Sequence, residues 1–173
     1  DVLSYIRLIA NPDDDPAFLR AVTTPKRGVG DVTLGKLNQY ARQNGYSLFQ
    51  AASSMEALME LNPKNRESLQ QFMSILHDIQ HRAEQEDAGE LINNLLNTIG
   101  YETHLLNNEE GKAGEIKWRN VQDLTGWLAR KGKEDGKNII EIAQTIALMT
   151  LLEGKDENEN DAVKMSTLHA SKG

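Results

Sequence analysis

Cysteine is absent from the 173 residues, so neither a disulfide framework nor a thiolate metal site is available. That is compatible with a cytoplasmic location, which is the expectation. No apolar run reaches membrane-spanning length. The longest, Ile139 to Leu152, is interrupted by Glu141, Gln144 and Thr150, so no membrane partner is expected. No signal peptide is visible either, and because the chain begins at Asp1 rather than Met, a native N-terminus is expected upstream. A phosphate-binding loop is missing. Gly30-Asp31-Val32-Thr33-Leu34-Gly35-Lys36-Leu37 nearly matches G-x-x-x-x-G-K-[ST], but Leu37 cannot supply the magnesium-ligating hydroxyl, and the run lies in a helical pattern after no strand. The chain itself is therefore expected to hold no cofactor and to hydrolyse no ATP. No acid/base or nucleophile constellation emerges, so an independent enzyme has little support and no catalytic residue is assigned.

Metal chemistry is equally poorly provided for. His77 and His81 are four apart and share a helix face, but Asp78 follows His77 where a Glu would be needed, and no third ligand has suitable spacing. Two exposed histidines and no metal are expected. The acidic run Asp13-Asp14-Asp15 is better explained by helix capping and a surface turn.

What is present is a helical pattern. Hydrophobic content of 39% and charged content of 26% suit a globular domain with a core. Val2, Leu3, Ile6, Leu8 and Ile9 recur near a 3.6 period and predict a first helix ending near Asn11, before Pro12. Asp15-Pro16 predicts the next start, with Asp as cap and Pro at the first position, and Phe18, Leu19 and Val22 facing inward. Asp31 or Thr33 is expected to cap a third helix that ends at Gly45, and Ser47 to open a short helix through Ala52. After Asn62-Pro63 a long helix is predicted from about Lys64 to Glu86, burying Leu69, Phe72, Met73, Leu76, Ile79 and Ala83. Leu91 to Ile99 reads as a helix ended by Gly100, Asn107 to Gly114 as a polar loop, and Ile116 to Lys131 as a helix with Trp118, Val121, Leu124 and Leu128 on one face. Asn138 caps the last long helix, which Gly154 ends. Strand alternation does not occur before Val163, and the predicted fold class is all-α.

Net charge is −7, which argues against a wholly basic nucleic-acid binder, but the distribution matters more than the sum. Between Arg20 and Arg42 lie Arg20, Lys26, Arg27, Lys36 and Arg42 against Asp31 alone. Inside that stretch, Lys26-Arg27-Gly28-Val29-Gly30-Asp31 forms a turn between two helices. Glycines let a backbone come within hydrogen-bonding range of a phosphate with no Cβ in the way. The helix that follows at once presents free N–H groups and the positive end of its dipole. Lys26 and Arg27 add cations, and Val29 points back to clamp the turn to the core. The pattern resembles a helix-hairpin-helix, a module for sequence-independent contact with duplex backbone. The plainer alternative is a tight helix–helix connection that needs two glycines.

The tail carries the most specific signal. Five acids between Glu153 and Asp161 lead into Val163-Lys164-Met165-Ser166-Thr167-Leu168-His169-Ala170-Ser171-Lys172-Gly173. Thr167 to Gly173 resembles motif V of the UvrD/Rep-type superfamily-1 DNA helicases. Leu3 to Asp15 is similar to the family's passage from the second motor domain into its insertion, and Thr24-Pro25-Lys26-Arg27-Gly28-Val29-Gly30 to its T-P-x-R-G-[IV]-G stretch. The N-P-D-D-D and H-A-S-K-G forms lean towards the Rep branch.

The resemblance implies a parent enzyme that uses ATP and Mg in motor domains outside this chain to move 3′ to 5′ on single-stranded DNA and unwind duplex in replication or repair. It implies residues 1–12 as the lead-in from motor domain 2A, 13–160 as a helical 2B subdomain, and 161–173 as a truncated motif V remnant of 2A. Lys26, Arg27, Gly28, Val29, Gly30 and Thr33 would meet duplex phosphates, while Thr167, His169 and Lys172 would line the parent's single-strand channel. The tail stops before the Leu-Glu that completes motif V, so no activity is expected of those three residues here. The implied partners are the double-stranded DNA backbone, the remaining helicase domains and replication-restart or replisome proteins. The runner-up is a helical protein–protein interaction module whose Gly-Val-Gly turn is only a connection.

Overall fold

The structure, a computed structural model, describes residues 2–149 and 152. Every regular element among the described residues is a helix, as expected. In order they are α1 (Val2–Ala10), α2 (Asp15–Val22), α3 (Asp31–Asn44), α4 (Leu48–Ala52), α5 (Met55–Met59), α6 (Pro63–Arg82), α7 (Ala88–Ile99), α8 (Tyr101–Asn108), α9 (Ala113–Asp135) and α10 (139–149). The tail from Val163, with the motif V residues Thr167, His169 and Lys172, lies outside the described residues, as does the expected end of the last helix at Gly154. No helix among the described residues is long and apolar enough to cross a membrane.

Two groups of helices share one core. In the first, α1 packs on α2, α2 on α4, α3 on α4, and α6 on both α1 and α4. Its centre is aromatic. Phe72 of α6 meets Phe18 edge-on at 5.5 Å between centroids and Tyr5 at 6.3 Å, and all three are fully buried. Such pairs add about 0.5–1.5 kcal/mol beyond area burial. In the second group, α9 packs on α7 and α8 through small residues. A Cβ added to Gly89 of α7 would lie 2.4 Å from the Ala129 Cβ of α9, and one added to Gly114 would lie 2.6 Å from the Leu105 carbonyl oxygen. The two helix backbones therefore approach as closely as a missing side chain allows.

The acidic run Asp13 to Asp15 is used for capping and docking. Asp14, not Asp15, caps α2. Its carboxylate accepts from the Ala17 N–H at 3.1 Å and pairs with Arg7 at 2.8 Å. Asp15 is thereby released to accept from the Leu48 N–H at 2.9 Å, and Asp13 accepts from the Ser47 hydroxyl at 2.7 Å. Ser47 opens α4 with a complete capping box to Gln50. The acids thus tie the start of α2 to the start of α4.

Other expectations shift in detail. Gly30, rather than Asp31 or Thr33, is the N-cap of α3. Leu19 lies on the outer face at 41% exposure, whereas Phe18 and Val22 are buried. The long helix starts from the Asn62 cap and ends at Arg82 rather than Glu86. The six residues expected on its inward face are all buried. Helices α5 and α8 have no counterpart in the periodicity reading. Gly45 and Gly100 end α3 and α7 in left-handed conformation, as expected.

Candidate functional site

The turn between α2 and α3 begins with a cis Thr24–Pro25 peptide bond, and Gly28 adopts φ +82°. An L side chain is strained at that φ, so glycine is required there by conformation. Space is a lesser constraint, since an added Cβ would make an ordinary 3.5 Å contact with Ser68 Oγ of α6. Gly28 and Gly30 are exposed, while Val29 is 7% exposed and anchors the turn to the core. Gly30, with φ −103° and ψ −173°, leads straight into α3, and no side chain caps that helix. The first intrahelical bond over this stretch runs from Leu34 N–H to the Gly30 carbonyl at 3.0 Å. The N–H groups of Asp31, Val32 and Thr33 are thus the orphan donors of the helix start.

The side chains around the turn fall into two sets. Lys26 is exposed and enters no ion pair among the described residues. Val32 is 74% exposed, and Asp31 is exposed in the first turn of α3. Arg27 and Thr33 turn inward. Arg27 Nη1 donates to the Ala21 carbonyl at 2.6 Å and Nη2 to the Tyr5 hydroxyl at 2.7 Å. Its guanidinium carbon sits 4.7 Å from the centroid of the Phe72 ring, a contact worth about 0.5–2 kcal/mol. Tyr5 Oη also lies 2.9 Å from the Ala21 carbonyl and 2.6 Å from that of Thr24. Burial pushes the Tyr5 phenol pKa up, and the Arg27 charge and hydrogen bond pull it partly back. Thr33 is 2% exposed, and its hydroxyl accepts from Asn65 Nδ2 at 2.7 Å.

Of the six expected duplex-binding residues, the structure therefore gathers all six at one bend but divides their roles. Lys26, Gly28 and Gly30 face outward, Val29 and the Arg27 and Thr33 side chains hold the bend from within. Beside it lies a cleft of about 160 Å³ lined by Lys26, Arg27, Ser68, Gln71 and Thr98 among others. Sequence reading named Phe72 only as a core residue and did not name Ser68, Gln71 or Thr98 at all, because nothing local shows that α6 runs beneath the turn.

His77 and His81 are exposed, as expected, and the His77 ring meets Phe49 at 5.3 Å in a tilted arrangement. Among the described residues there is no group of three metal-ligating side chains. Trp118 is half-buried against the core, and Trp127 is 36% exposed.

Comparison with known proteins places this arrangement in a family. The model of the UvrD-like helicase C-terminal domain matches residues 1–173. The chain is 37% identical to the ATP-dependent DNA helicase Rep of Salmonella typhimurium, over all of this chain and 26% of that relative. It is 36% identical to Rep of Escherichia coli over the same shares. It is 30% identical to the ATP-dependent DNA helicase PcrA of Bacillus subtilis, over all of this chain and 24% of the relative. The chain thus spans about a quarter of the length of the curated relatives it matches. The chain belongs to the UvrD-like helicase C-terminal domain family.

Proposed function

We propose that this chain is the 2B regulatory and duplex-binding part of an ATP-dependent DNA helicase that moves 3′ to 5′. ATP and Mg are handled by motor domains beyond it, and Thr167, His169 and Lys172 contribute to the single-strand channel of the whole protein. The family match supports the helicase part of this reading. The duplex-binding part rests on one observation: the Gly28–Val29–Gly30 bend is held from inside by Val29 while its glycines, Asp31 and Val32 at the uncapped start of α3, and Lys26 are exposed.

The mechanism follows from that geometry. Backbone N–H groups donate to phosphate oxygens, and the α3 dipole favours negative charge at its start. Lys26 supplies a mobile cation that neutralises one phosphate and releases counterions. None of these groups reads a base edge, so contact is independent of sequence. Asp31 opposes the field and holds affinity down.

Salt titration of binding to a short blunt duplex tests the reading. Affinity should fall with salt, with a slope of about one for the phosphate that Lys26 neutralises. Lys26→Ala should weaken binding to all sequences alike and reduce the slope by about one. Identical curves for the variant and the wild type would leave the bend as a connection only.

A further inference from the structure

We propose that Arg27 is a positioning residue: it fixes the attitude of the Gly28–Val29–Gly30 bend by bridging α1 to the end of α2, and leaves the charged contact with phosphate to Lys26. The proposal deepens the duplex-binding reading above and rests on it.

Arg27 is half-buried, and its guanidinium is directed inward. One guanidinium N–H is committed to the Ala21 carbonyl, another to Tyr5 Oη, and the guanidinium carbon sits over the Phe72 ring. Reaching out to a phosphate would break all three contacts at once. The carbonyl it takes is a terminal one of α2, which the helix cannot satisfy alone. Ala21 O also receives the Thr23 and Thr24 N–H groups that begin the turn. Tyr5, fully buried on α1, has one hydroxyl proton and stands within reach of the Ala21 and Thr24 carbonyls. The Arg27 N–H fills its acceptor side. Arg27 and Tyr5 together pin both ends of the segment from Ala21 to Arg27, and the bend starts at the next residue. Lysine cannot reproduce this, because a single ammonium on a flexible stem cannot reach two oxygens in fixed directions as a planar fork does.

A duplex-binding series on the whole chain separates positioning from direct contact. Affinity for a blunt duplex is measured against potassium chloride concentration for wild type, Lys26→Ala, Arg27→Lys and Tyr5→Phe. Arg27→Lys keeps the charge and should still weaken binding about tenfold with an unchanged salt slope. Tyr5→Phe removes an uncharged group that no duplex can touch, and should weaken binding several-fold, also at unchanged slope. Lys26→Ala should lower the slope by about one. Wild-type affinity for Arg27→Lys, or no effect of Tyr5→Phe, would overturn the proposal.

Amide hydrogen exchange on the same proteins gives a second readout. Arg27→Lys should speed exchange across residues 24–30 while α7 and α9 stay protected, and unchanged exchange there would overturn the positioning role. If wild type binds no duplex at all, the duplex-binding reading falls alone and the exchange result still decides whether Arg27 sets the bend.

Discussion

The bend after α2 and the contact between α7 and α9 both depend on glycine, for opposite reasons. Gly28 has room for a side chain but a backbone conformation that resists one. Gly89 sits in an ordinary helix but has no room, because Ala129 occupies the place of its Cβ. The first site is held by directional contacts, Arg27 and Tyr5 on carbonyls and Val29 in the core, and it leaves backbone amides facing solvent. The second is held by steric fit, with Gly89 buried against Ala129. A surface meant to meet a ligand through its main chain needs the first kind of support. A joint that only has to stay closed is served by the second.

Substitutions should break this comparison in a fixed order. Gly89→Ala is expected to be the most harmful, about 2 kcal/mol of stability, since overpacking outweighs the better helix propensity of alanine. For a chain of this length, that is a fall of about 4–8 °C in the thermal midpoint. Circular dichroism melts should show part of it recovered when Ala129→Gly is added, because the clash lies between those two positions. Gly28→Ala should cost less, about 1–2 kcal/mol, from the left-handed backbone alone. Asparagine, which tolerates that conformation better, should be milder than alanine at position 28 and worse than alanine at position 89. The same ranking at both sites would mean that the two glycines answer one constraint.

A smaller effect is expected with pH. His104 on α8 is half-buried, and burial pulls its pKa below the usual 6.5, with Glu109 opposing. A lowered folded-state value means that the unfolded chain takes up the proton first, so stability is present above about pH 6.5 and declines as pH falls through and below it. His104→Asn should flatten that decline in melts at pH values on either side, whereas an unchanged decline would place its origin in another group. The smallest expected change is at Asp31. Asp31→Asn removes a carboxylate that the start of α3 favours, so it should cost no more than about 0.3–1 kcal/mol of stability, and it should tighten duplex binding a few-fold at low salt, the gain fading as salt screens the field.

Much of the frame was legible from residue order. Pro63 behind Asn62, the glycines at 45 and 100, and the apolar stripe from Leu69 to Ala83 act within a turn or two of themselves, and each sits where the pattern put it. Helix α8 escaped because Tyr101 and Leu105 are its buried residues, and two apolar positions make no readable period. The same limit applies to the site. Sequence shows that Lys26 and Arg27 are adjacent cations but not that one faces water and the other Tyr5, since that depends on α1 lying 22 positions upstream. Thr33 is similar: a hydroxyl at a helix start suggests a cap, yet its partner is Asn65, 32 positions away. Asp14 and Asp15 divide capping and docking between them because α4 supplies the Leu48 N–H. Local chemistry named the candidates, and long-range packing assigned their directions.

The central claim is that free main-chain amides at the bend, with Lys26 beside them, receive duplex phosphates. Amide chemical shifts of the isotopically labelled chain, followed while a blunt duplex is added at low salt, test it most directly. The account predicts progressive shifts at Lys26, Gly28, Gly30, Asp31, Val32 and Thr33, with the amides of α7 and α8 unmoved. Shifts that spare those six residues and gather on another face, such as the exposed side of α9 around Trp127, would contradict it.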